Sequence, residues 1–152
     1  MKRILVFPHR YAIEYLKSPE LERGKVCWVA VFRPAVPDAA KAVRPDYFAF
    51  LEFDDVADEE AARNFGLLPL SEEEALYAAD TLLRALDAGV QEFVFSCDAG
   101  ISRSAGMAEA FARFLEEQGL AFEKKHLRFP QPNPLVRERL LRALKTLDSS
   151  RG

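Results

Sequence analysis

The sequence predicts an α/β fold in which helices flank a mainly parallel central sheet. Four short apolar segments have the composition of buried strands, and amphipathic helical patterns lie between and after them. The strands are expected at residues 3–7, 25–32, 47–53 and 93–96, and the two clearest helices at 71–88 and 102–118. Because the last of these strands passes through a short loop into a helix, a ligand site is expected at the carboxyl ends of the strands.

The first two strands enclose a short helix, expected over residues 12–16 from the spacing of its apolar residues. Residues 25–32, KVCWVAVF, form a near-continuous apolar run, which is typical of a strand covered on both faces. Cys27 lies inside this run and is expected to be a core residue. Residues 33–44 contain prolines and are predicted to form a loop.

The third strand, residues 47–53, leads into an acidic segment. Residues 59–70 are expected to form a longer loop or a short helix over the expected ligand site. The helix at 71–88 has the strongest start signal, because Ser71 and Glu74 have the spacing of a capping box. Its alanines and leucines recur on one face, which predicts packing against the core.

The helix at 102–118 has an apolar face and ends before Gly119, a residue that favours helix termination. Residues 120–129 show no regular pattern. A proline-rich break at 129–134 precedes a final helix expected over residues 135–147.

Length and composition limit the possible functions. A chain of 152 residues suits one core, so residues 1–152 are expected to form a single domain. The net charge of −3 gives no overall positive field, so nucleic acid and membrane are not expected partners. Two cysteines in apolar segments suit a reducing cytoplasm. Two isolated histidines offer no metal-ligand cluster, and neither a metal, a cofactor nor a membrane span is expected.

The strongest functional pattern is FVFSCDAGISRSAGMAE, residues 93–109, where five residues separate Cys97 from Arg103. A loop of this length between a strand and a helix can direct its amide N–H groups at one centre, and the helix N-terminus adds its positive end. Gly100 permits a tight turn, and the guanidinium of Arg103 can hold two phosphate oxygens. Such an electropositive setting favours the thiolate of Cys97, the nucleophilic form. The expected phosphate-binding residues are Asp98, Ala99, Gly100, Ile101, Ser102 and Arg103.

Cys97 followed by Gly100-Ile101-Ser102-Arg103-Ser104 resembles the signature of the cysteine-dependent protein tyrosine phosphatase superfamily, most closely its small bacterial and phage dual-specificity-like branch. The resemblance implies a protein tyrosine phosphatase-like fold and phosphomonoester hydrolysis through a phosphocysteine. It also implies that Cys97 is the nucleophile, that Arg103 holds the phosphate, and that Ser104 donates a hydrogen bond to the leaving thiolate. A Pro-Asn dipeptide that opens the last helix is also similar to the family.

The resemblance further implies a general acid after the third strand. The departing oxygen of a phosphoester leaves poorly until it is protonated, and a placed carboxylic acid supplies that proton. Asp55 is preferred, because the family places the acid directly after an apolar–acidic pair, here Phe53-Asp54. Asp54 and Asp58 are the alternatives, and a solvated acidic cluster is the competing interpretation.

Ser96 departs from the family pattern, which usually has histidine before the nucleophile, and this leaves the degree of Cys97 activation open. Several basic residues near the expected strand ends could contact substrate. Loop or surface positions are the preferred interpretation for all of them. They are His9, Arg33, Lys41 and Arg44.

The preferred function is therefore hydrolysis of a phosphorylated protein or of a small phosphomonoester. One alternative is a catalytically weak or dead module that only binds phosphate. The other is a rhodanese-like sulfurtransferase, since such enzymes also hold a cysteine in an anion-binding loop. The sequence leaves the substrate open between phosphotyrosine, phosphoserine or phosphothreonine, a nucleotide and an inositol phosphate, and it leaves the oligomeric state unknown.

Overall fold

The computed structural model describes residues 1–151, in which five strands and six helices form an α/β fold. The strands are β1 (Lys2–Pro8), β2 (Val26–Val31), β3 (Tyr47–Leu51), β4 (Glu92–Cys97) and β5 (Phe122–His126). The helices are α1 (His9–Leu16), α2 (Asp38–Val43), α3 (Glu59–Phe65), α4 (Glu72–Asp87), α5 (Arg103–Glu117) and α6 (Pro134–Ser150). The strands form one sheet in the order β3-β2-β4-β1-β5, and every pairing in it is parallel. The predicted α/β fold with a parallel central sheet is confirmed.

Both faces of the sheet are covered. Helices α1 and α2 pack on one face, where Trp28 is the largest buried side chain. Helices α4, α5 and α6 pack on the other. Successive residues of β4 alternate between these layers, since Val94 faces the first and Phe93 and Phe95 face the second. Burial on two sides explains why the central strands are continuous apolar runs in the sequence.

The position of β4 determines where the site lies. This strand runs between β1 and β2, with Cys97 opposite Pro8 and Ser96 opposite Ala30. Because the three strands are parallel, their carboxyl ends meet at one edge of the sheet. Cys97 therefore lies at the carboxyl end of the middle strand, directly beside the β1–α1 junction.

The start of α4 confirms half of the predicted capping box. Ser71 Oγ accepts a hydrogen bond of 3.1 Å from the Glu74 amide, as a cap should. The Glu74 carboxylate does not reach back to Ser71. It accepts instead from the amide of Glu52 at 2.8 Å, and so joins the helix start to the end of β3.

Two local predictions were wrong, and one strand was not predicted. Residues 33–44 contain α2, because the prolines precede this helix without interrupting it, and Asp38 favours its first turn. Residues 120–129 contain β5, an edge strand of the sheet that pairs with β1. Most of its side chains are exposed, so it lacks the apolar alternation of a half-buried strand. The second error concerns His9, which is the first residue of α1 and not a loop residue.

Cys27 is fully buried in β2, which confirms the prediction of a core position. Burial also raises the pKa of its thiol. The expected short helix within residues 59–70 is α3, which ends at Gly66. No helix among the described residues is both long enough and apolar enough to cross a lipid bilayer.

Candidate active site

The segment from Cys97 to Arg103 is a tight loop between β4 and α5. Gly100 has a φ of 68°, in the left-handed region that favours glycine. A Cβ atom at this position would lie 2.5 Å from the backbone nitrogen of Pro8. The loop therefore packs directly on the end of β1, and only glycine fits there.

The interior of the loop presents unpaired donors. Within residues 1–151, no backbone or side-chain acceptor takes the amide hydrogens of residues 98–102. Ser102 precedes α5, but its hydroxyl makes no capping hydrogen bond to the first amides of the helix. Unpaired amides at a helix N-terminus form a ready anion site.

The sulfur of Cys97 lies at the floor of this loop, and the residue is only 2% exposed. Ser104 Oγ is 3.0 Å from the sulfur, and the Ser104 amide donates to it over 3.4 Å. Ser104 itself is fully buried. The thiol thus faces the open loop on one side and the Ser104 hydroxyl on the other.

Arg103 is held at the rim of the loop. Its NH1 donates to the carbonyl of Phe53 at 2.9 Å, and its NH2 lies 3.9 Å from Asp98 Oδ2. The carbonyl bond fixes the guanidinium between the loop and the segment after β3. Arg103 therefore joins the loop of Cys97 to the segment that carries the candidate acids.

A cleft of about 320 Å³ opens above the sulfur. It is lined by Asp55, Cys97, Asp98, Ala99, Ile101, Ser102, Arg103 and Gln131. The structure thus brings together the predicted nucleophile, acid and arginine with most of the predicted phosphate-binding residues. Gly100 supports the loop from behind, and Ser104 lies beneath the sulfur.

No protein-family model, curated protein or solved structure matches this chain. The geometry of the loop and its neighbours is therefore the basis for assigning its chemistry.

The three candidate acids have different surroundings. Asp55 lines the cleft, and its Oδ1 accepts hydrogen bonds from Ser102 Oγ at 2.8 Å and from Asn133 Nδ2 at 2.7 Å. Asp54 accepts from the Leu68 amide at 2.7 Å and pairs with Arg33. Asp58 is the N-cap of α3. Of the three, only Asp55 faces the sulfur's cleft.

The Pro-Asn dipeptide noted in the sequence contains Asn133, a residue to which the sequence reasoning gave no role in the site. It is 3% exposed and caps α6, with its Oδ1 accepting from the amides of Leu135 and Val136. Its Nδ2 group donates to Asp55 and to the Val56 carbonyl. An asparagine between two prolines at a helix start was the available signal, because it marks an N-cap whose amide group is still free to donate.

Ser96 is fully buried, and its surroundings also escaped the sequence analysis. The indole N–H of Trp28 donates to Ser96 Oγ at 2.9 Å, and His9 Nδ1 lies 2.9 Å from the same oxygen. The chain therefore has no histidine at position 96, but it brings His9 to that hydroxyl from another segment.

The remaining basic candidates lie away from the sulfur's cleft. Arg33 is paired with Glu52 and Asp54, and Arg44 lies over the ring of Phe48 at 5.1 Å. Neither Arg33, Lys41 nor Arg44 lines the cleft above Cys97.

A second cleft, of about 710 Å³, adjoins the first through Asp98. Its walls come from the β1–α1 junction and from the segment after β5. They are formed by Pro8, His9, Arg10, Tyr11, Glu14, Asp98, Leu127 and Arg128. This open space can receive the remainder of a ligand whose phosphate occupies the loop.

We expect Gly100→Ala to destabilise the protein and to weaken phosphate binding at least tenfold. A left-handed φ costs a non-glycine residue about 1–2 kcal/mol, and the new Cβ would also contact the Pro8 backbone. Gly119→Ala is the matched control, since Gly119 has a φ of 72° with nothing within 4 Å of its Cβ position. Thermal unfolding and calorimetric titration with inorganic phosphate provide the measurements. Equal effects of both variants on phosphate binding would contradict the close-packed loop.

We expect the stabilising contribution of Asp54 to disappear in acid. The Leu68 amide, followed by Arg33, lowers the pKa of Asp54 from its ordinary value of 3.8. A carboxyl group whose pKa is lower in the folded than in the unfolded protein stabilises the fold at pH values above its unfolded-state pKa. This stabilisation is lost as pH falls through the folded-state pKa. The stability difference between wild type and Asp54→Asn should therefore be constant above about pH 5 and shrink below about pH 4. Urea titrations across this range measure it, and a difference that grows in acid would contradict the assignment.

Proposed function

We propose that this chain hydrolyses phosphomonoesters through a phosphocysteine intermediate. One observation carries the proposal. The sulfur of Cys97 lies beneath a ring of unpaired amides, in a cleft that Arg103 and Asp55 also line. A phosphate dianion in this cleft would satisfy the amides and the guanidinium together, with its phosphorus facing the sulfur.

In the first step the Cys97 thiolate attacks phosphorus, and the bond from phosphorus to the ester oxygen breaks. Asp55 supplies the proton that this oxygen needs. Both hydrogen bonds to Asp55 end on Oδ1, and Oδ2 accepts none within residues 1–151, so Oδ2 is the atom free to carry the proton. Arg103 and the loop amides hold the other phosphate oxygens as charge develops on them.

In the second step a water molecule attacks the phosphocysteine. Asp55, now ionised, takes the proton of that water, and the bond between phosphorus and sulfur breaks. Inorganic phosphate leaves and the Cys97 thiolate returns. The hydroxyl of Ser104, 3.0 Å from the sulfur, donates to the thiolate as it forms.

The substrate that fits the cleft is a phosphorylated protein side chain or a small phosphomonoester, with its remainder in the adjoining cleft beside Tyr11. We place the protein in the reducing cytoplasm. Cys97 acts only as a free thiol, and both cysteines are unpaired in the structure.

A substrate panel tests the proposal. We expect turnover of p-nitrophenyl phosphate and of at least one phosphopeptide, nucleotide or inositol phosphate, with inhibition by vanadate. Cys27→Ala is the matched control, because it removes the other cysteine outside the cleft and should leave turnover intact. Absence of turnover on every phosphoester would overturn the proposal, as would sulfur transfer from thiosulfate that exceeds phosphatase activity.

A second candidate is a module that captures phosphate without turning it over. The two hydrogen bonds that hold Asp55 against the loop favour it, because they restrain the acid that turnover requires. Inorganic phosphate would then raise the melting temperature while no phosphoester in the panel was hydrolysed. Turnover above background would eliminate this candidate.

A further inference from the structure

His9 occupies an enclosed position beside the nucleophile's loop. It begins α1 directly after β1, and its side chain is only 12% exposed. The imidazole stacks on Phe32, with 4.0 Å between the ring centres and 17° between their planes. This packing leaves the ring one orientation, with its two nitrogens directed at different strands.

The hydrogen bonds of the ring fix its tautomer. His9 Nε2 lies 2.6 Å from the carbonyl oxygen of Val31, which can only accept, so Nε2 carries the hydrogen. Nδ1 is then an acceptor, and the hydroxyl of Ser96 donates to it over 2.9 Å. The same hydroxyl accepts from Trp28 Nε1. Ser96 is therefore held from two sides, and its hydroxyl hydrogen has one direction.

His9 also faces the residue that follows Cys97. Its Nε2 is 3.9 Å from Asp98 Oδ1, while Asp98 Oδ2 is 3.9 Å from Arg103 NH2. The ring thus bonds to Ser96, directly before the nucleophile, and lies near the exposed carboxylate of Asp98, directly after it. The hydrogen-bond and stacking partners of the ring are the uncharged groups of Val31, Phe32 and Ser96, and the charges that act on it are those of Asp98 and Arg103.

The ring is neutral near pH 7. Burial lowers the pKa of His9, and the nearby Arg103 acts in the same direction, whereas the Val31 carbonyl and Asp98 oppose them. A neutral ring is required for Nδ1 to accept the Ser96 hydrogen.

We propose that His9 is a positioning residue for Cys97, which acts by holding Ser96 directly before the nucleophile. The expected effect of His9 on turnover rests on the proposed function. Its effect on the reactivity of the thiol does not depend on any substrate. Because Ser96 and Cys97 are adjacent at the end of β4, a fixed Ser96 sets the direction in which the sulfur enters the loop.

Three variants separate the two hydrogen bonds of the ring. His9→Asn keeps an acceptor near the Nδ1 position, His9→Gln keeps a donor near Nε2, and His9→Phe keeps only the stacking. Ser96→Ala removes the hydrogen bond to Nδ1 by deleting the hydroxyl that donates it. If the Ser96 bond positions the nucleophile, we expect His9→Asn to retain most activity. The Gln, Phe and Ser96→Ala variants should lose about ten- to a hundredfold in kcat with KM little changed, since a misplaced reacting atom costs up to about a hundredfold.

Alkylation of Cys97 by iodoacetamide gives a readout that needs no phosphatase activity. The alkylation rate is measured across pH in the Cys27→Ala background, so that Cys97 is the single thiol that can react. We expect the alkylation rate to fall about tenfold in His9→Phe, His9→Gln and Ser96→Ala, because a sulfur that enters the loop in a different direction is presented less well to the reagent. His126→Phe removes the other histidine, in β5, and should leave the rate unchanged.

The outcomes separate the inference from the proposed function. If the wild-type protein shows no turnover but alkylation of Cys97 is slowed in the His9 variants, the positioning role of His9 is supported and the proposed phosphatase activity is overturned. Normal alkylation and normal kcat in both His9→Gln and Ser96→Ala would overturn the positioning role while leaving the phosphatase intact. The positioning role would also be overturned if kcat fell in step with the melting temperature across all variants, including His9→Asn and His126→Phe. Such a correlation would indicate that His9 has a structural role alone.

Discussion

Cys97→Ser is expected to lower kcat for p-nitrophenyl phosphate by at least about a thousandfold, because removal of a nucleophile leaves only binding and electrostatic stabilisation. A serine hydroxyl in the same loop stays protonated near neutral pH and attacks phosphorus far more slowly than a thiolate. The amides of residues 98–102 and the guanidinium of Arg103 are untouched, so phosphate binding should persist. Steady-state kinetics and calorimetric titration with inorganic phosphate measure the two properties separately.

The control is Cys27→Ser, which makes the same atomic change at a fully buried site outside the cleft. It should affect thermal stability and not turnover. If Cys97→Ser retained wild-type kcat, or if Cys27→Ser lost it, the nucleophile assignment would be wrong.

Asp55→Asn is expected to lower kcat about 10²–10⁴-fold for alkyl phosphates, whose leaving oxygen requires protonation. The loss should be much smaller for p-nitrophenyl phosphate, because its phenolate leaves readily without a proton. The amide oxygen of the new side chain can still accept from Ser102 and Asn133, so the loop should keep its position. A comparison of kcat across leaving groups of graded acidity provides the measurement.

Asp54→Asn and Asp58→Asn are the matched controls, as both acids lie in the same connection between β3 and α4. Asp54 holds the Leu68 amide and Asp58 caps α3, so these variants should lose stability with little dependence on the leaving group. A leaving-group dependence in Asp54→Asn equal to that in Asp55→Asn would transfer the role of acid to Asp54.

Local sequence was sufficient where one short segment forms the whole feature. The loop from Cys97 to Arg103 could be predicted because the strand, the turn glycine and the helix start are contiguous. The central strands and the cap at Ser71 were predictable for the same reason. The edge strand β5 was not, since its pairing with β1 depends on a segment about 120 residues earlier.

Composition and spacing left the choice among the acids open, and Asp55 was preferred only through the family resemblance. Asp54, Asp55 and Asp58 are near neighbours in one acidic segment, and no local pattern fixes which carboxylate points into the cleft. The structure separates them through partners from distant segments: Asn133 and Ser102 hold Asp55, whereas Leu68 and Arg33 hold Asp54.

The sequence alone determined the parallel α/β class and the strand–loop–helix form of residues 93–117, because hydrophobic periodicity and the spacing of a few adjacent residues act over short stretches of chain. Only the tertiary structure decided which side chains surround that loop. The strand order places β4 between β1 and β2, and this order brings His9, Trp28 and Val31 to Ser96. Contacts of that kind depend on how separate strands pair, which no local pattern specifies.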